Sequence, residues 1–300
     1  MYNGIVVIDK PEGISSHTVI SKMRKLLDQR KIGHGGTLDP LATGVLPVFA
    51  GRATRAAEYV QGSSKAYTAR FRLGVITDTQ DITGEVLETR EVSVTREDVE
   101  AALVSFQGDI MQTPPMYSAI QVDGQRLYKL AREGREIERE ARAVTIHSIS
   151  LVGEYPETNE YDITVSCSKG TFIRTLCADI GEKLGCGATI TKLRRTQTGI
   201  FSIAQAYTIE QLAQLKEEGK LDSVFLAPDL LFDELPKLTM FADNALRVCR
   251  GAPVYLTKRV PGRYRVYDES GAVLGVGVLQ DTDRRQVLTM EKCFFDVTPQ

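Results

Sequence analysis

The clearest alternation along the chain is "AYTARFRLGV" (66–75). Tyr67, Ala69, Phe71, Leu73 and Val75 fall on one side, and Thr68, Arg70 and Arg72 on the other. A period of two over that length predicts a half-buried strand with a basic outer face. "YDITVSCS" (161–168) repeats the pattern, with Tyr161, Ile163, Val165 and Cys167 inward. "GIVVID" (4–9) is nearly all apolar and predicts a buried strand that ends at a Lys-Pro-x-Gly turn. Helical spacing governs "SHTVISKMRKLLD" (16–28), with Val19, Ile20, Met23, Leu26 and Leu27 on one stripe behind a Ser16 cap. It returns in "EDVEAALVSF" (97–106). In "FIRTLCADIGEKLG" (172–185) the stripe is Ile173, Leu176, Cys177, Ile180 and Leu184, and Gly185 is the stop.

Antiparallel-style strands with intervening helices, and no regular βαβ alternation, make the fold class α+β with a central antiparallel sheet. "FLAPDLLFDELPKL" (225–238) carries two prolines and reads as a boundary. The runs after it, "RYRVYD", "AVLGVGVL" and "RQVLTMEKCFF", are short, β-like and split by Gly and Asp turns. The expected division is a catalytic domain over 1–235 and a small all-β domain over 236–300.

With 42% hydrophobic and 25% charged residues, the 300-residue chain can bury a large core and has no disorder-like composition. No apolar run approaches membrane-spanning length, and the N-terminus lacks a signal-peptide pattern. The five cysteines are odd in number and form no C-x-x-C pair, so they read as buried thiols of a cytoplasmic protein. The net charge of −2 hides strong patterning, with residues 10–72 and 165–200 basic and residues 73–110 acidic. Two basic stretches that met in space could follow a phosphate backbone.

Chemistry concentrates in "HGGTLDPLATGVLP" (34–47), where a lone Asp39 precedes Pro40 behind two glycines. A helix cap followed by a first-turn proline would account for Asp-Pro equally well. The stretch lacks the G-K-[ST] of a P-loop, the chain has no G-x-S-x-G, and its three histidines form no metal-ligand array. Chemistry by a side chain without a cofactor or metal remains, with Asp39 its leading candidate. In "CSKGTFIRTL" (167–176), Thr171 as helix cap would put Arg174 in the first turn, where the helix dipole disfavours a cation. A buried arginine there needs an anion, either a phosphate or a carboxylate such as Asp39.

Four blocks resemble, in order and spacing, the motifs of the TruB family of tRNA pseudouridine synthases. They are "GIVVIDKPEGISSH" (4–17), "GHGGTLDPLATGVLPVFAGRAT" (33–54), "KAYTARFRLG" (65–74) and "KGTFIRTLCADIGEKLGCGATITKLRRTQTG" (169–199). The resemblance implies a pseudouridine-synthase core and a PUA-like C-terminal β-barrel. It implies isomerisation of uridine 55 in the tRNA T-arm without cofactor, metal or guide RNA, by a monomer. It makes Asp39 the catalytic aspartate and Arg174 its catalytic partner. It makes Tyr67 the aromatic that stacks on the base, Leu193 a pocket wall and His34 a residue that flips or holds the RNA loop. Phe172 and Lys10 join the substrate-binding set, Phe172 standing where many relatives carry tyrosine. The segment 113–134, with Arg126, Lys129 and Arg132 and with Arg135 directly after it, becomes an RNA-gripping insertion. A guide-RNA-dependent relative, an RNA chaperone and a glycosidase-like hydrolase are the alternatives weighed.

Overall fold

The computed structural model describes residues 1–295 apart from 119, 123 and 284. Positions 119 and 123 of the expected insertion, and 284 and 296–300 of the expected C-terminal domain, therefore lie outside the described residues. The chain opens with β1 (Gly4–Lys10), α1 (Ser16–Leu27), β2 (Ile32–His34) and β3 (Thr43–Ala50). Next come α2 (Ala57–Gln61), β4 (Lys65–Leu73), the pair β5 (Val75–Thr77) and β6 (Val86–Thr89), α3 (Arg96–Val104) and β7 (Gly108–Gln112). The stretch 113–134 holds two short strands, β8 (Gln121–Val122) and β9 (Gln125–Arg126), and the short helix α4 (Leu127–Arg132). Two long strands, β10 (Arg142–Tyr155) and β11 (Glu160–Cys167), lead to α5 (Ile173–Lys183), β12 (Ala188–Thr198), β13 (Phe201–Ser202) and α6 (Ile209–Glu217). The last elements are β14 (Lys237–Met240), α7 (Ala242–Cys249), β15 (Val254–Leu256), β16 (Gly262–Asp268), β17 (Val273–Asp281) and β18 (Gln286–Cys293).

The central sheet runs β1-β3-β12-β4-β11-β10-β7, with β2 paired to β3 and β13 to β12. Every pairing in it is antiparallel except β3 with β12, which meet side by side at Thr43–Arg194 and Gly44–Arg195. Gly44 makes that junction possible: its φ is +97°, and a Cβ there would sit 2.2 Å from the Arg195 carbonyl oxygen. One layer of core lies between the sheet and α3 and α5, where Phe71, Ile163, Leu176 and Ile180 are fully buried. Another lies under α1 and α6, around Val19, Met23, Leu46 and Leu212.

The alternation in β4 and β11 holds as expected: Tyr67, Ala69, Phe71 and Leu73, and Tyr161, Ile163, Val165 and Cys167, are all buried. Val75 departs from it, being half-buried in a separate strand beyond the left-handed Gly74. The outer face of β4 is not a free basic surface either. Arg70 makes a two-pronged contact with Asp162 at 2.7 and 2.8 Å, and Arg72 reaches Glu160 at 3.2 Å. Cross-strand carboxylates on β11 neutralise it. Helix α1 is capped by Ser15 rather than Ser16, Thr18 N–H donating to Ser15 Oγ at 3.0 Å. Gly185, with φ +79°, ends the α5 segment as its sequence predicts.

Strands β14 to β18 form a second, five-stranded sheet in the order β14-β16-β17-β18-β15, curled into a half-barrel. The stretch read as a boundary is more than a tether. Phe232 is 2% exposed and packs edge-on against Tyr59 at 4.7 Å and stacked on Phe294 at 6.0 Å. Ile5 and Phe49 of the first sheet and Val276 of the second join the same apolar cluster. Burying a ring of that size contributes roughly 1.5–3 kcal/mol, so the two sheets are held by core and not by a linker alone. Among the described residues, no helix is long and apolar enough to cross a membrane.

Candidate active site

Residues 35–42 connect β2 to β3 as an irregular turn, without the helix that Asp39-Pro40 alone could have signalled. The turn is tied down on every side. Leu38 N–H donates to Ser16 Oγ at 2.8 Å, and the same hydroxyl donates back to Leu38 O at 3.0 Å. Gly13 N–H reaches Pro40 O at 2.9 Å. Beneath the turn lies the guanidinium of Arg195, 1% exposed, donating to the carbonyls of Val45 (2.8 Å), Thr37 (3.3 Å) and Gly36 (3.1 Å). Lys10 is also fully buried there, its Nζ donating to Pro11 O at 2.8 Å and Pro40 O at 3.2 Å. Burial lowers the Lys10 pKa to about 8, against the opposing pull of Asp39.

Arg174 stands in the first turn of α5, although by a different cap. Phe172 is the cap residue, and Thr171 instead donates its hydroxyl to Ser168 O at 3.0 Å. Gln112 of β7 braces the helix start, accepting from Phe172 N–H at 2.8 Å and donating to Phe172 O at 3.1 Å. The Arg174 side chain is only 4% exposed, so the dipole penalty at this end of the helix has to be offset by acceptors. Its Nε donates to Asp39 Oδ2 at 2.9 Å, Nη1 to Thr79 O at 2.6 Å and Nη2 to Tyr117 O at 2.7 Å. The contact with Asp39 is thus single rather than two-pronged. The rest of the fork pins two other segments, the turn at 78–85 and the start of the 113–134 stretch. Asp81 lies 3.9 Å from Nη1, its carboxylate held by Thr79 Oγ1 and by Thr83 N–H, both at 3.0 Å.

These groups line one cleft of about 540 Å³, a size that admits a small ligand or a single nucleotide. Asp39 and Arg174 are joined there by Tyr67, Leu193, His34 and Phe172. Tyr67 comes from β4 and is 8% exposed; burial raises its pKa against the opposing charge of the nearby Arg195. Leu193 stands on β12 opposite Ala69 of β4. His34 ends β2, where burial and then the neighbouring Arg195 and His17 charges lower its pKa and keep the ring neutral at pH 7. Asp39 Oδ1 takes no hydrogen bond among the described residues, and the side chain is 39% exposed, so one carboxylate oxygen is available to the cleft. Lys10, expected in the substrate-binding set, does not line the cleft. The ammonium is turned inward to cap carbonyls under the turn.

Sequence reading missed Arg195, Asp81 and Ser118. Arg195 was visible only as one of two adjacent arginines in "TKLRRT", and its burial follows from the parallel β3–β12 contact that no local pattern encodes. Ser118 lines the cleft, 5% exposed, with its Oγ lacking a hydrogen-bond partner among the described residues. Arg126, Lys129 and Arg132 are all exposed at α4, with Arg132 over the Tyr128 ring at 5.6 Å. Among the described residues, no group of three or more His, Cys, Asp or Glu could hold a metal ion.

Residues 24–173 match the TruB family pseudouridylate synthase N-terminal domain, and residues 174–232 match the tRNA pseudouridylate synthase B C-terminal domain. The tRNA pseudouridine synthase B of Pseudomonas fluorescens (strain Pf-5) is 47% identical over 290 residues, covering 94% of this chain and 93% of that protein. Its namesake from Pseudomonas aeruginosa (strain UCBPP-PA14) is 46% identical over 286 residues, at 94% and 93% coverage. Among solved structures, a Cbf5-Nop10-Gar1 complex contains a similar chain, with TM-score 0.71, 25% identity, and coverage of 97% of this chain and 85% of that one. An H/ACA RNP bound to a substrate RNA containing 2′-deoxyuridine shares the fold at TM-score 0.70 and 23% identity, covering 99% and 87%.

Proposed function

The chain belongs to the TruB family of pseudouridylate synthases, and from that premise we propose that it isomerises uridine 55 in the T-arm of tRNA to pseudouridine. The observation that carries the proposal is the Asp39–Arg174 contact in a cleft walled by Tyr67 and Leu193. The reaction breaks the N1–C1′ bond, turns the uracil and rejoins it through C5. No atom enters or leaves, so a positioned acid–base or nucleophilic group suffices. The target base leaves its stack at a cost of a few kcal/mol. Stacking on an aromatic such as Tyr67 returns about 1–3 kcal/mol, and Leu193 covers the base edge. The free Oδ1 of Asp39 then acts on the nucleoside while Arg174 fixes the other oxygen. Attack at C1′, attack at C6 and proton removal at C2′ all require that same oriented carboxylate. Phe172 at the helix start lends apolar surface without a hydroxyl, and neutral His34 closes the side of the cleft.

In this reading residues 1–235 form the catalytic domain. Residues 236–300 form a PUA-like RNA-binding domain, and the exposed basic side chains of 113–134 grip the T-arm. The protein works as a monomer, without guide RNA, in the cytoplasm, where its free thiols stay reduced. The curated relatives named above support tRNA as the substrate. The H/ACA neighbours are more distant in sequence and share only the architecture.

The test uses purified protein alone with an unmodified tRNA transcript, followed by chemical mapping of pseudouridine. Modification at position 55 is expected, with Asp39→Asn folded, tRNA-binding and inactive. Turnover by folded Asp39→Asn, or modification only when a guide RNA is added, would overturn the proposal.

A further inference from the structure

Helix α5 starts without a cap of its own. Phe172, the cap residue, offers no side-chain acceptor, and the hydroxyl of Thr171 before it donates to Ser168 O. The cap comes instead from Gln112, 2% exposed and sixty residues earlier at the end of β7. Its Oε1 accepts from Phe172 N–H at 2.8 Å, and its Nε2 donates to Phe172 O at 3.1 Å. One amide plane thus grips one peptide residue at both ends. Phe172 O also accepts from Leu176 N–H at 3.0 Å, so the grip extends into the turn that carries Arg174. Arg174 is tied to the same strand end from the other side. Its Nη2 donates at 2.7 Å to the carbonyl of Tyr117, which follows Gln112 by five residues. The chain between them runs through the buried Pro114 and Pro115, whose rings hold φ at about −65°.

The path closes on itself. It runs from Gln112 to Phe172 through the amide, along the helix to Arg174, through the guanidinium to Tyr117, and back through the prolines to Gln112. We infer that Gln112 is a positioning residue for the reaction, acting through Arg174. Gln112 itself does not line the cleft. It fixes the first turn of α5, and the closed path holds the guanidinium so that Nε meets Asp39 Oδ2 in one orientation. The inference rests on the role given above to Asp39. The clamp requires a donor and an acceptor on one side chain. Methionine, of similar length, has no donor and only a weak acceptor. Ionised glutamate has the shape of glutamine but only accepts, and it would set its second oxygen against Phe172 O.

A double-mutant cycle tests this, with the full-length protein, an unmodified tRNA transcript at saturation and single-turnover rates of pseudouridine formation. Gln112→Met is expected to slow the step roughly tenfold, a fraction of the roughly 100-fold that a misplacement of about 1 Å can cost. Its tRNA affinity should stay within about twofold, because the net charge is unchanged. Arg174→Lys alone is expected to lose about 100-fold, and the double variant about 100-fold as well rather than about 1,000-fold, since a residue that works through Arg174 then has nothing left to position. Gln112→Glu keeps the acceptor and loses the donor at the same size. It should show the same non-additivity, and it takes the place of Gln112→Met if that variant fails to fold. Losses that multiply in the double variant, a loss confined to tRNA affinity, or parental turnover in folded Gln112→Met would each refute the role. A parent protein that leaves uridine 55 unmodified would instead bring down the functional reading itself, so the two failures are told apart by the parent's rate.

Discussion

Arg174→Lys keeps the positive charge and removes the fork. Lysine offers one nitrogen where the guanidinium sends three hydrogen bonds in three directions, to Asp39 Oδ2, Thr79 O and Tyr117 O. If the ammonium keeps the carboxylate, the two carbonyls at 2.6 and 2.7 Å lose their donor. An unsatisfied buried carbonyl costs about 1–3 kcal/mol. The cleft is open enough for water to reach part of this surface, so the lower half of the combined range applies, about 2–4 kcal/mol in urea denaturation. The turn at 78–85 and the segment around Tyr117 loosen together, and Asp39 loses its fixed orientation. A misplacement of about 1 Å can cost roughly 100-fold in rate, and a drop of that order is expected under single-turnover conditions with saturating tRNA. Filter-binding affinity for tRNA should stay within about threefold, because the net charge is unchanged. Turnover within about threefold of the parent, in a folded Arg174→Lys protein, would refute the view that geometry rather than charge is what Arg174 supplies.

Three further outcomes are expected. Ser118→Ala removes a buried hydroxyl without a partner among the described residues, so the urea midpoint should hold or rise, while KM for tRNA increases about threefold to tenfold, the value of about one hydrogen bond; a lower midpoint with unchanged KM would show the hydroxyl to be structural. Lys10 has a folded pKa lowered to about 8 from 10.5, so the unfolded chain binds the extra proton between those values and stability rises with pH across the window. The stability difference between the parent and Lys10→Met should therefore grow in the parent's favour from pH 8 to 10.5, and a flat difference would contradict it. Replacing Arg126, Lys129 and Arg132 together by Gln should lower the slope of log affinity against log salt by about 0.7–0.9 for each phosphate these side chains neutralise; an unchanged slope would remove α4 from the RNA-binding surface.

The strands and helices around the central sheet were legible because their periods are long and clean, as in β4, β11 and α5. Asp39 and Arg174 could be singled out from their own motifs and Tyr67 and Leu193 only through the family resemblance, and the structure brings all four side chains to one cleft. What the pattern could not carry is the meeting of distant segments. Arg70 and Arg72 looked like free cations because Asp162 and Glu160 lie about ninety residues away. Lys10 looked like a ligand for substrate because nothing local says that its ammonium turns under Pro40. Capping misled by a single residue at both α1 and α5, since two adjacent hydroxyls compete for one position at Ser15-Ser16 and a glutamine from β7 takes over the role at Phe172.

Arg195 holds the turn that carries Asp39 through three peptide carbonyls, with no acid as counterpart among the described residues. Dissolved ions weaken contacts between exposed charges, and they have no path to a guanidinium sealed in this way. Brine strong enough to wash the polynucleotide off the surface would leave the reactive bend in its working shape. An enzyme recovered from such a wash should resume turnover at once on dilution, without a slow phase of re-forming.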